Sequence, residues 1–390
     1  MYVKKLKQQK IMRNFSLLSA LFFSLVIFNS CNNQNFNKKT SQATLDSIII
    51  KNEIPAFQFE MRKGKSVISA LSYNPKAIHD TIQPTEENTT KLSKNTIFQA
   101  ASLSKPLFSY IVMKMVDSRE IDLDKPLCEY MDIDRFVDKN AASKLTARII
   151  LAHKSGLPNW AASPSSPQWP TSPIIFKYQV DSCFAYSGEG YAFLQRAIES
   201  IRGASLEEIA RKDVFEPFNM PNTSYEWLPV YDSLAINGYN DKGENRGTGR
   251  HPRANCAYTL RTNAHEYSNF LQEAILKGTG LSPETHKLML SPASHAIKYA
   301  DNHRKCDSLI YWVLGLGSQC SINAETNELT PQIYWHWGDN GSFKGLFIVD
   351  PIEKITMVYF TNSAHGHDII NSITNLYFNK SYIIYNWIED

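Results

Sequence analysis

The chain has 390 residues, 43% of them hydrophobic, enough to bury a large core in one domain or in two interleaved ones. Its 41 basic and 38 acidic residues leave a formal charge of +3 with no long single-sign run in the body, which argues against nucleic acid as a partner, because phosphate binding needs a clustered basic stripe. No self-similarity at a period of roughly 20 to 50 residues is visible, which argues against a solenoid or propeller.

The N-terminus opens with Lys4, Lys5, Lys7, Lys10 and Arg13, followed by an uncharged stretch from Phe15 to Phe28 rich in Leu, Phe and Val. A spanning helix needs about 20 apolar residues. This shorter run reads as the hydrophobic core of a secretion signal. It ends in Phe28-Asn29-Ser30-Cys31, a small residue directly before a cysteine, which resembles a loose bacterial lipobox. Residues 1–31 are therefore expected to be a lipoprotein signal peptide, with Cys31 as the lipidated residue and the protein on the periplasm-facing side of a membrane in the cell envelope. Five cysteines remain: Cys128, Cys183, Cys256, Cys306 and Cys320. An odd number cannot all pair, and none stands in a C-x-x-C arrangement, so the reading is mostly buried free thiols, with no support for zinc.

Residues 32–44 are polar, rich in Asn and Lys, and read as a tether. Leu45, Ile48 and Ile49 recur at helical spacing, and Pro55 resets the chain. Phe57 and Phe59 alternate with Gln58 and Glu60, Lys63-Gly64 supplies a turn, and Val67 to Tyr73 looks extended, which predicts a hairpin. From Phe98 to Asp117 the texture is helical, carried by Leu107, Ile111 and Met115. Further helical patterns cover Glu189–Ile201, Leu206–Val214 and Asn263–Leu276, whereas Trp160–Pro173 and Tyr239–Asn255 read as loops. Leu309–Leu316, Gln332–Trp337, Phe343–Val349 and Ile355–Thr361 are short β-rich runs, and His367–Phe378 closes with a helical period. Strands at both ends with helices between predict an α+β fold: one antiparallel sheet built from both chain ends, about 45–100 and 306–390, with a mostly helical part, about 101–305, inserted in a single catalytic domain of 45–390.

Acyl transfer needs a nucleophile, a base and donors for the oxyanion. Ser102-Leu103-Ser104-Lys105 is the only S-x-x-K in the chain. On a helix, residues three apart share a face, so the Lys105 amine can reach the Ser102 hydroxyl. Burial would lower the lysine pKa towards a useful range. Two elements follow in order: Tyr186-Ser187-Gly188, then His336-Trp337-Gly338 on an expected strand ahead of Asp339-Asn340-Gly341.

The order S-x-x-K, Y-x-N, basic-residue-x-Gly resembles the signature of class C β-lactamases and the related D,D-peptidases and esterases; a sister set marks the class A enzymes. Ile150-Leu151-Ala152-His153-Lys154-Ser155-Gly156-Leu157-Pro158, Ile121 to Pro126 and Tyr258 to Phe270 resemble other family segments, so the likeness covers about residues 45 to 380. It implies a β-lactamase/transpeptidase-like fold and a serine hydrolase working through an acyl-Ser102 intermediate on a small ester, amide or peptide substrate, with no cofactor and no metal. Lys105 and Tyr186 would share the proton transfers, the backbone N–H groups of Ser102 and Asp339 would form the oxyanion hole, and His336 would stand in for a lysine. The competing reading is a penicillin- or peptidoglycan-binding sensor of the same fold that does not turn over.

The departures bear on substrate. Gly188 stands in place of an asparagine, and Trp337 in place of a Thr or Ser; with Gly338 these are the expected substrate-binding positions. Loss of an amide contact and a carboxylate clamp, each worth about 1 to 3 kcal/mol, predicts that small activated esters outrank penicillins. His365-Gly366-His367-Asp368 has the wrong spacing for a metallo-hydrolase and reads as a solvated helix start. His153 reads as structural, and Trp160 and Trp169 either line the pocket or pack their loop.

Overall fold

The computed structural model describes residues 38–79, 92–297 and 305–389. The chain divides into two compact units, Met1–Thr44 and Leu45–Asp390. The leader and Cys31 lie outside the described residues. Helix α1 (Lys38–Lys51) starts within the stretch read as a tether. With no Pro or Gly from 38 to 44, nothing stops the helix set by Leu45 and Ile49 from extending backwards.

Unit 2 is organised by one antiparallel sheet of eight strands in the order β2-β1-β10-β9-β8-β7-β6-β5. The strands are β1 (Ala56–Lys63), β2 (Ser66–Tyr73), β5 (Ser294–His295), β6 (Ile310–Trp312), β7 (Gly317–Ile322), β8 (Leu329–Asp339), β9 (Lys344–Asp350) and β10 (Ile355–Thr361), while β3 (Phe98–Gln99) and β4 (Arg261–Thr262) pair separately. The expected hairpin is β1–β2, and the two chain ends meet where Phe57 faces Thr361 and Phe59 faces Tyr359.

Side chains alternate across a strand, and this sheet uses both faces. Phe347 and Val349 of β9, with Val358 and Phe360 of β10, point into one core beneath the helical part. Leu346, Ile348, Met357 and Tyr359 point the other way, joining Leu45 and Ile49 of α1, Ile370 and Ile373 of helix α5 (Ile370–Phe378) and Trp387 of helix α6 (Ile384–Glu389). A strand buried on both faces reads as a continuous apolar run rather than an alternation, as Ile355 to Thr361 does. Each such side chain contributes roughly 1.5–3 kcal/mol by burial.

One expected strand is corrected. The run Leu309–Leu316 is not one strand: β6 ends at Trp312 and the chain turns at Gly315, whose φ of +99° suits glycine. The next strand, β7, has the sequence Gly-Ser-Gln-Cys-Ser-Ile, which carries no apolar alternation and gave no signal. Among the described residues Cys128, Cys183, Cys256 and Cys320 are free thiols, the last two buried. No helix among the described residues is long and apolar enough to cross a membrane.

Candidate active site

The helical run expected from Phe98 is interrupted, and the interruption makes the site. After β3, Ala100 takes up a turn, Ala101 adopts φ +47°, and Ala101–Leu103 form a single 3₁₀ turn ahead of helix α2 (Ser104–Asp117). A left-handed alanine costs on the order of 1–3 kcal/mol and persists only where its surroundings over-determine it. Here they do. Ala100 N–H donates to Leu260 O at 2.8 Å, and the buried Ser104 hydroxyl donates to Ala101 O at 2.6 Å while accepting Leu260 N–H at 3.0 Å. The Tyr267 hydroxyl, from helix α4 (Ala264–Phe270), and the Tyr225 hydroxyl cap Leu103 O and Ser104 O at 2.8 and 2.9 Å. The result is Ser102, half-buried, at the mouth of a cleft.

Lys105, one turn into α2, is 1% exposed. Its Nζ donates to Ala257 O at 2.9 Å and lies 3.3 Å from Ser102 Oγ. Burial pushes its pKa from 10.5 down to about 7, opposed only by the neighbouring Cys256. An amine that is half neutral at pH 7 can accept the Ser102 proton. The same Nζ sits 4.7 Å above the Tyr186 ring. The Tyr186 hydroxyl closes no hydrogen bond of full geometry, although Ser102 is near enough to favour its ionised form; burial dominates and raises the phenol pKa, so it stays protonated. His153 and His336 flank this group. The His153 ring lies 4.3 Å from that of Tyr186 and its Nδ1 accepts Ser187 N–H at 3.1 Å. His336 Nδ1 donates to Trp337 O at 2.7 Å, and burial with Lys105 nearby pushes its pKa down to about 3. Both rings are neutral, so His336 supplies no cation.

The cleft beside Ser102 has a volume of about 410 Å³, within the range of small-molecule sites. Ser102, Lys105, Tyr186 and Asp339 reach it, whereas Gly188, His336, Trp337 and Gly338 do not line it. Gly188 opens helix α3 (Gly188–Arg202), and a Cβ there would stand 2.4 Å from the Trp160 indole, which covers it. Trp337 packs among Tyr186, Trp312 and Trp387. Gly338 has no room for a side chain because a Cβ would meet Ala100 O at 2.3 Å. That contact brings β8 against the Ser102 turn. Asn340 N–H bonds to Phe343 O, just ahead of β9. Alternate residues of a strand face opposite edges, so the Asp339 amide faces away from β9, towards the edge that β7 leaves open beyond Trp335.

Several cleft residues gave no motif signal: Gln99, Asn159, Arg246 and His251. Asn159 Oδ1 accepts Gly188 N–H at 2.9 Å, which leaves its amide NH₂ towards the cleft. The two tryptophans divide the roles left open for them. Trp160 lines the cleft, while Trp169 is buried and donates to Glu189 at 2.8 Å.

A family model described as Beta-lactamase matches residues 63–374. The chain belongs to the beta-lactamase family. Penicillin-binding protein 4 of Amycolatopsis lactamdurans is 24% identical over 141 residues, 33% of this chain and 36% of that protein, so the chain spans about a third of this relative's length. A D-stereospecific amidohydrolase from a Streptomyces species superposes with a TM-score of 0.67 at 13% identity, over 88% of this chain and 99% of that one. A class C beta-lactamase gives 0.65 at 15% identity, over 85% and 94%. The beta-lactamase/transpeptidase-like fold read from the sequence is the fold of this chain.

Proposed function

We propose that this beta-lactamase-family chain is an acyl hydrolase of small esters or amides. The observation that carries the reading is the buried Lys105 amine, 3.3 Å from Ser102 Oγ and with a pKa near 7. Neutral Lys105 takes the hydroxyl proton as Ser102 Oγ bonds to the acyl carbon, and the tetrahedral oxyanion is met by the N–H groups of Ser102 and Asp339. The protonated phenol of Tyr186 hands its proton to the leaving oxygen or nitrogen and recovers it from Lys105, leaving acyl-Ser102. Water attacks the acyl carbon, with Tyr186 and Lys105 returning the proton to Ser102, and the acid leaves. Asn159 and Arg246 on the cleft wall, rather than Gly188 or Trp337, are the side chains that would choose among substrates. We further place the protein in the bacterial cell envelope, held by lipid on Cys31.

The test is a panel of p-nitrophenyl esters, D-Ala-D-Ala peptides and nitrocefin. Ser102→Ala should lose at least about 10³-fold in kcat on whichever substrate is turned over, with an unchanged melting temperature. Retention of more than a few per cent of the activity would remove Ser102 as the nucleophile.

A further inference from the structure

His367, expected in a solvated helix start, is 1% exposed. Its Nδ1 lies 3.0 Å from Glu389 Oε1 of α6 and its Nε2 3.2 Å from Gly338 O of β8. A carboxylate and a carbonyl only accept hydrogen bonds, so the ring satisfies both partners only as imidazolium, donating from both nitrogens. The hydrogen bond from His367 in turn holds the Glu389 carboxyl below its usual range. Gly338 O belongs to the same peptide unit as Asp339 N–H. In a trans peptide these groups point in opposite directions, the carbonyl towards His367 and the N–H towards the open edge beside Ser102. The Asp339 side chain is separately tied to Lys344 at 2.7 Å.

We propose that His367, paired with Glu389, is a positioning residue that fixes and polarises the Gly338–Asp339 peptide so that its N–H donates to the developing oxyanion. This rests on the acyl-transfer reading above. A charge-assisted hydrogen bond to a peptide oxygen strengthens the donor at the peptide nitrogen, because bonds in series polarise one another. The charged and titratable groups around the ring are Glu389 from α6, Asp339 from β8, Lys344 from β9 and Tyr359 from β10, with His365 and Asp368 paired to each other on its own turn.

Three measurements on the full chain test this. Imidazole ¹⁵N NMR at pH 7 should show both His367 nitrogens protonated in the wild type; a neutral ring would overturn the proposal. With an activated ester, His367→Asn should lower kcat on the order of 10- to 100-fold with KM within about twofold. Glu389→Gln should move the alkaline fall of kcat down by about one pH unit or more and leave the acid limb in place. A changed KM with intact kcat, or an unmoved alkaline limb, would show a merely structural contact. A fluorophosphonate probe separates this failure from failure of the reading beneath it. No labelling of wild-type Ser102 removes the acyl-transfer mechanism and this role with it, whereas wild-type labelling at a rate indifferent to His367→Asn removes this role alone.

Discussion

In the proposed reaction one buried residue, Lys105, serves chemistry at the expense of stability. Its folded pKa near 7 lies below its ordinary 10.5, so between those values the unfolded chain holds a proton that the folded chain does not. Stability therefore rises with pH across that window, and the full penalty applies below it. Lys105→Met should be inactive and more stable than the wild type by a few kcal/mol below about pH 7, the advantage vanishing by about pH 10.5. Chemical denaturation across pH checks this, and a constant difference would refute the assigned burial. For the same reason kcat/KM of the wild type should climb through an apparent pKa of about 7, as the neutral amine becomes available. His336 cannot be the source of this limb, because it is already neutral there.

At the scale of elements, the loop bearing Asn159 and Trp160 owes its position to the first turn of α3. Glu189, fully buried there, pairs with Arg135 at 2.8 Å, accepts Trp169 Nε1–H at 2.8 Å and accepts Ala161 N–H at 3.0 Å. One carboxylate thus holds both ends of the Pro- and Ser-rich loop against the body. Removing one member of a buried ion pair typically costs about 3–5 kcal/mol, because the other charge is stranded. Glu189→Ala should lose stability of that order and raise KM as Trp160 and Asn159 lose their anchor, while Arg135→Met with Glu189→Met should recover much of the stability but not the KM. Urea unfolding and steady-state kinetics would tell; an unchanged KM in the single variant would mean that the loop is held some other way.

For the whole molecule, the second unit is closed by its ends: β1 lies between β2 and β10, so residues some three hundred positions apart complete the sheet. Ahead of that unit, the expected lipid on Cys31 would make the mature protein partition into detergent. A diacylated cysteine adds enough buried methylene groups for firm anchoring, which one chain does not provide. The wild type should therefore enter the detergent phase and Cys31→Ser should remain in the aqueous phase; an intact N-terminus from Met1 by mass spectrometry would rule the anchor out.

The hairpin, the β9 and β10 strands, the inserted helical part and the Ser102–Lys105 pairing are legible in the sequence because each is local. Apolar periodicity acts within one element, and the three-residue spacing spans only the short turn that leads from Ser102 into α2. Strand β7 was not legible, because its burial comes from neighbours rather than from its own pattern. Nor was the cleft wall: Asn159, Arg246 and His251 carry no spacing relation to Ser102, and only the packing of separate loops brings them together. The neutrality of His336, the covering of Gly188 by Trp160 and the double hydrogen bond of His367 were decided in the same way. A side chain's type is written in the chain, but its charge state and its partners depend on what tertiary packing places around it and how far that packing excludes water.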